Sequence, residues 1–145
     1  MKPMNREGEV IELWQQGTSS GLHLLGEWYG CSARRALLED ATHLQRLCRF
    51  AAEGAGLKVV ADHFHQCTPT GVTGTILLNE SHLVIHTWPA DRSVTLDIFV
   101  SMHTRNNRIK ARAVYSLLKD GLKPEKENYL QVNRGGHVQE MSAPG

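Results

Sequence analysis

The sequence predicts a two-layer α/β sandwich, in which one antiparallel sheet carries two helices on a single face. Three observations lead there. Four β-rich runs follow one another between Leu57 and Val100 with only short turns between them, and strands joined by short turns pair antiparallel. Two other segments carry apolar residues at the three- and four-residue spacing of a helix. Two helices cover only one face of such a sheet, and 145 residues are enough for one domain with its own core. An uncovered face gains burial by meeting a second copy, so a homodimer is expected.

Residues 1–20, which end in "GTSS", read as a flexible N-terminal extension in which "VIELW" (Val10–Trp14) forms a turn of helix. "LHLLGEWYG" (Leu22–Gly30) suits a strand closed by glycine. From Arg35 to Ala55 the period becomes helical, with Leu37, Ala41, Leu44, Cys48 and Ala51 on one stripe and "GAG" ending it. "LKVVADHFHQC", "GVTGTILLN" and "SHLVIHTW" then read as strands parted by "TPTG" and "NES", and "PADRS" leads into "VTLDIFV" (Val94–Val100). A second helix fits Arg108–Lys119 with Ile109, Ala113, Leu117 and Leu118 inward. "KENYLQVNRGG" adds a last short strand, and residues 135–145 read as a flexible tail. The expected folded domain is therefore 21–134.

Composition narrows the function. The chain is 41% hydrophobic and 21% charged with a net charge of +1, which argues against a nucleic-acid footprint, and no window concentrates Lys and Arg as a phosphate-tracking surface does. No apolar run approaches membrane-spanning length, and the N-terminus lacks the apolar centre of a signal peptide. Cys31, Cys48 and Cys67 are odd in number and widely spaced, so they read as free thiols in a cytoplasmic protein.

The chemistry lies in "NESHLVIHTWPAD" (Asn79–Asp91). In a strand His82, Val84, His86 and Trp88 share one face, and His63 and His65 share a face of theirs. Neutral imidazoles on neighbouring strands converge on zinc only in particular registers, and no standard ligand spacing is present, so a metal site ranks last. Taken singly, each histidine reads as a hydrogen-bonded core or interface residue. Together with a tryptophan, however, they form a polar cluster that a purely structural sheet rarely contains. Ser81 offers another reading. No GxSxG elbow surrounds it, but a serine where a turn enters a strand is placed to attack the carbonyl of the residue before it, Glu80. The ester so formed eliminates to dehydroalanine, which hydrolyses to a pyruvoyl group at a new N-terminus.

"ESHLVIHTWP" closely resembles the self-cleavage motif of the bacterial and archaeal S-adenosylmethionine decarboxylase family. "GEWYGC" (Gly26–Cys31), "FHQCTPTGVTG" (Phe64–Gly74) and "LDIFVS" (Leu96–Ser101) follow the family's order and spacing. The resemblance covers roughly Leu22 to Arg134 and implies a two-layer α/β sandwich that dimerises. It implies cleavage between Glu80 and Ser81, with Ser81 becoming the pyruvoyl group. That ketone forms a Schiff base with the substrate's amine and accepts the electrons released with CO₂. His86 matches the histidine that assists processing, and Thr73 stands where the family has a serine for the same step. The substrate side departs from the pattern. Ser101 occupies the position of the family's proton-donating cysteine, so His103 becomes a candidate proton donor. Cys67 occupies the position of the aromatic that stacks on adenine, and Ala90 that of the glutamate that holds the ribose. Trp88 alone of the adenine-side set remains.

The resemblance, with these departures, implies a pyruvoyl-dependent decarboxylase of polyamine biosynthesis whose substrate is a basic amino acid, L-ornithine or L-arginine. Asp91 and Asp62 are the candidates to meet its distal cation. S-adenosylmethionine itself, as a step towards spermidine, is the second reading. A non-catalytic partner that regulates an active paralogue is the third. No nucleic acid, membrane or metal is expected as partner.

Overall fold

A computed structural model describes residues 12–13, 21–103 and 105–135. The remainder of the expected extension and residues 136–145 of the expected tail lie outside the described residues. Strands β1 (Glu12–Leu13), β2 (Gly21–Tyr29), β3 (Val59–Gln66), β4 (Val72–Leu78), β5 (His82–Trp88), β6 (Ser93–Ser101) and β7 (Lys126–Arg134) form one sheet in the order β1-β7-β2-β6-β5-β4-β3. Every pairing is antiparallel except the short parallel one between β1 and β7. Helices α1 (Arg35–Glu39), α2 (Ala41–Gly54) and α3 (Arg108–Leu122) pack on one face. This is the expected sandwich.

Period-two alternation sorts the strands. Leu22, Leu24 and Trp28 of β2, Leu83 and Ile85 of β5, and Leu96, Ile98 and Val100 of β6 are buried under the helices. Each such side chain contributes roughly 1.5–3 kcal/mol of transfer free energy. Leu44, Cys48 and Ala51 of α2 and Ala111, Val114, Leu118 and Leu122 of α3 close the core from the other layer. Cross-strand partner Gly74 leaves room for the ring of Phe64, which a Cβ there would strike. Gly30 has φ +62° and lets the chain leave β2 sharply.

Three expectations need correction. Glu12 and Leu13, expected in a turn of helix, pair with Gln131 and Val132 as a strand, because the edge of β7 offers unpaired backbone groups. The helix expected over Arg35–Ala55 is broken at Asp40, which has extended φ/ψ and accepts from the N–H groups of Thr42 and His43 at 2.8 and 3.1 Å. That is an N-cap, a role short acidic side chains fill well. The buried stripe of α3 is Ala111, Val114, Tyr115, Leu118 and Leu122, whereas Ile109 is 80% exposed. The expected stripe was rotated towards the neighbouring face, and the helix runs three residues further than expected.

Two polar clusters tie the layers. Thr87, buried at 4% exposure, donates to the Leu38 carbonyl at 2.7 Å and accepts from the Val72 N–H at 2.9 Å. Glu127 accepts from the Tyr115 hydroxyl at 2.8 Å and from the Lys119 ammonium at 2.5 Å. Burial pulls the Glu127 carboxyl upward, but the Lys119 and Tyr115 donors outweigh it and hold it below the usual range.

Candidate active site

Ser81 sits where a tight hairpin enters β5. Leu78 closes the turn by donating its N–H to the Ser81 carbonyl at 2.9 Å, so Asn79 and Glu80 alone form the loop. None of the three residues Asn79, Glu80 and Ser81 has positive φ. The Glu80–Ser81 peptide therefore carries no left-handed strain, although it lies in a two-residue turn. The Ser101 N–H, at the end of β6, donates to Ser81 Oγ at 3.0 Å. That bond fixes the oxygen and leaves its own proton free to be given up. Ser101 is itself buried. Its Oγ accepts from the His103 N–H at 3.3 Å, and its carbonyl accepts from Asn107 Nδ2 at 2.8 Å. A cavity of about 430 Å³ opens beside Ser81, and Lys58, Glu80, Ser101, Arg105, Asn107 and Lys110 are among the residues that line it. His103 is exposed and is not among them.

The other site residues lie at the far end of the sheet. Thr73 and His86 are cross-strand partners, and Thr73 Oγ1 lies 3.0 Å from His86 Nδ1. Cys67 Sγ stands 3.8 Å from the same Oγ1, in a hairpin that contains the cis Thr68–Pro69 peptide. The ring of His86 lies 5.8 Å from that of Trp88, which is 46% exposed. Ala90 and Asp91 follow on an exposed 3₁₀ turn, Pro89–Asp91. Asp62 is committed elsewhere: Arg49 Nη1 donates to it at 2.6 Å and Gln45 Nε2 at 3.2 Å.

The structure thus divides the expected site into two groups. Glu80, Ser81, Ser101 and the backbone of His103 form one, and Cys67, Thr73, His86, Trp88, Ala90 and Asp91 form the other. Five residue steps lead from Ser81 to His86, about 16 Å at the rise of extended chain. Within one chain His86 does not reach Ser81. The second group borders the sheet face without helices, whose middle carries Leu25, Val84 and Leu130 with partly buried His23 and Asp97, whereas the cavity beside Ser81 is walled by the segments that follow α2 and open α3. His23 Nε2 is 3.4 Å from Asp97, and burial lowers the His23 pKa while Asp97 partly offsets that shift.

Sequence reasoning missed Lys58, Arg105, Asn107 and Lys110. The signal was present in "RNNRIK" (Arg105–Lys110), a short basic run that opens α3 beside Ser81. Among the described residues no three His, Cys, Asp or Glu side chains are grouped to hold a metal. No described helix is long and apolar enough to cross a membrane.

An α/β sandwich with a Glu-Ser hairpin at its open end is the class that fold and site define, and comparison with known proteins narrows it. The family model "S-adenosylmethionine decarboxylase" matches residues 22–135. An S-adenosylmethionine decarboxylase proenzyme of Clostridium botulinum (strain Langeland) is 32% identical over 116 residues, 80% of this chain and 95% of that one. The proenzyme of Thermotoga maritima is 32% identical over 117 residues, 81% of this chain and 85% of its own. The crystal structure of the adenosylmethionine decarboxylase from Aquifex aeolicus superposes with a TM-score of 0.74 at 27% identity, covering 88% of this chain and all of that one. The chain belongs to the S-adenosylmethionine decarboxylase family.

Proposed function

We propose that this chain is a self-processing, pyruvoyl-dependent decarboxylase that acts as a homodimer on a basic amino acid. The observation that carries the proposal is the Ser81 hydroxyl in its two-residue hairpin, oriented by the Ser101 N–H and facing a cavity. An oxygen so held keeps its own proton to give up, and its attack on the carbonyl of the residue before it is the first step in converting Ser81 to a pyruvoyl group. The pyruvoyl group supplies an electron-accepting carbonyl for loss of CO₂ from an amino acid.

His86 and Thr73 assist processing across a dimer interface, since they are too far away within their own chain. A two-fold axis lying between two open sheet faces, across the strands, sets the Ser81 end of one copy against the His86 end of the other. Leu25, Val84 and Leu130 then lie near the axis and lose water on association.

Support for a basic amino acid comes from the far group. Cys67 and Ala90 offer neither a ring for adenine nor an acceptor for ribose, each a contact of order 1–3 kcal/mol. Asp91, exposed beside Trp88, meets the distal cation, while Lys58, Arg105 and Lys110 repel it from the near cavity. With serine at position 101, a weaker acid than a thiol, product protonation falls to His103 or to water. S-adenosylmethionine remains the second reading, favoured by the exposed Trp88 and by the names of the relatives.

Intact mass of the purified protein tests the first step, with fragments 1–80 and 81–145 expected and the second carrying a borohydride-reactive N-terminus. An uncut chain refutes the enzyme and favours a regulatory partner. CO₂ release from ornithine, arginine and S-adenosylmethionine then tests the substrate, and release from S-adenosylmethionine alone refutes the basic amino acid.

A further inference from the structure

The cavity beside Ser81 carries more positive charge than a basic amino acid has use for. Lys58 enters it from the segment after α2, Arg105 from the loop after β6 and Lys110 from the first turn of α3, while Glu80 is the one carboxylate on its lining. The Lys110 ammonium donates at 3.3 Å to the carbonyl of Gly56, another residue of the lining. Asn107 fixes the adjoining end of β6 through the Ser101 carbonyl.

We infer that this cavity receives the carboxylate that self-cleavage creates at Glu80, and that Lys58, Arg105 and Lys110 stabilise it as a leaving group. The inference rests on Ser81 being the self-processing serine. Ser81 Oγ adds to the Glu80 carbonyl carbon, the C–N bond breaks and the hydroxyl proton passes to nitrogen, which gives an ester. A base next removes the Ser81 α-proton, the Cβ–Oγ bond breaks and its electron pair departs on the Glu80 carboxylate. The dehydroalanine left behind takes up one water and releases ammonia as it becomes the ketone. Cleavage therefore creates a negative charge at Glu80, and the Ser81 nitrogen departs without leaving a cation on the chain. Cations within a few ångströms favour a carboxylate and so speed the bond-breaking that forms it. The Glu80 side chain adds a second negative charge to the same terminus, which suits a lining of three cations.

The test follows freshly translated chain by intact mass, with and without hydroxylamine, which cuts an ester at Glu80 and spares the peptide. Wild type should pass through the ester quickly to fragments 1–80 and 81–145. A Lys58→Met/Arg105→Met double variant should accumulate full-length, hydroxylamine-labile chain and finish cleavage roughly ten-fold more slowly. The charge-retaining Lys58→Arg/Arg105→Lys pair should keep the wild-type rate. Double-variant chain that is cut at the wild-type rate with no labile species overturns the inference. If thermal melting shows that the variant does not fold, the salt dependence of the wild type decides. Ester lifetime should rise with ionic strength, and a lifetime independent of salt overturns the inference. Wild type that never forms fragments refutes self-processing itself, which is a different result from normal cleavage indifferent to charge.

Discussion

Two chains, each disabled at a different end of the sheet, should repair one another. A Ser81→Ala chain has no nucleophile and a His86→Ala chain has no assisting imidazole. Each homodimer should stay uncut, since loss of a positioned acid or base costs roughly 10²–10⁴ in rate. Ser81 and His86 stand about 16 Å apart along β5, five times hydrogen-bond reach. A His86 of the same chain therefore has no route to its own Ser81. In a mixed dimer the His86→Ala chain meets an intact His86 from its partner. When the two variants are co-expressed in equal amounts and pair at random, half of the His86→Ala chains find such a partner. The cut fraction of that chain should rise from near zero to about one half. Distinct tags on the two chains and intact-mass analysis give the fraction directly. No cut His86→Ala chain in preparations shown to contain mixed dimers would refute the cross-protomer assignment. Equal cutting in the His86→Ala homodimer would remove His86 from processing altogether.

Thr87→Val leaves the Leu38 carbonyl and Val72 N–H without the partner that joins them. The expected loss is about 2–4 kcal/mol, read from the urea midpoint, and a loss under 1 kcal/mol would show that the two groups find other partners. Tyr115→Phe should cost about 1–3 kcal/mol through the Trp28 Nε1 and Glu127 contacts, again by urea titration. The Glu127 pKa is lowered in the folded state, so its stabilisation is present above the unfolded carboxyl range and is lost as pH falls through the folded value. Glu127→Gln should flatten the acid limb of a stability–pH curve, and an unchanged limb would discount the Lys119 pair. His23 is also lowered, by burial ahead of Asp97. Its contribution is full above 6.5 and falls away below it as the unfolded chain takes up protons more readily. His23→Gln should reduce the stability lost on going from neutral to mildly acid solution.

Periodicity made most of the architecture legible, since β4, β5 and β6 alternate and α2 buries Leu44, Cys48 and Ala51 as its spacing requires. It failed where neighbouring faces of one segment were similarly apolar. In α3 the set Ile109, Ala113 and Leu117 competes with Ala111, Val114 and Tyr115, and only packing against β2 and β6 chooses between them. Asp40 was readable as a cap, but an apolar stripe running through it on both sides hid the break. The candidate site was legible as a set of residues and illegible as a place. Ser81 and His86 belong to one motif because sequence is linear, whereas an extended strand sets them at opposite ends of a sheet. Lys58, Arg105 and Lys110 meet only because the end of α2 and the start of α3 flank the same hairpin, and no spacing rule announces that.

Strand order gives the Glu80–Ser81 bond one more property. Divided there, residues 1–80 hold β1, β2, β3 and β4, and residues 81–145 hold β5, β6 and β7. In the sheet β2 is inserted between β7 and β6, and β7 in turn between β1 and β2. The two pieces are interlaced like the fingers of clasped hands, with backbone ladders on both sides of β2. Severing the chain at that hairpin removes one covalent link and none of those ladders. The fragments would thus stay together without any tether and part only when the sheet itself is unfolded. A protein woven in this way can be cut at its reactive centre and keep its shape.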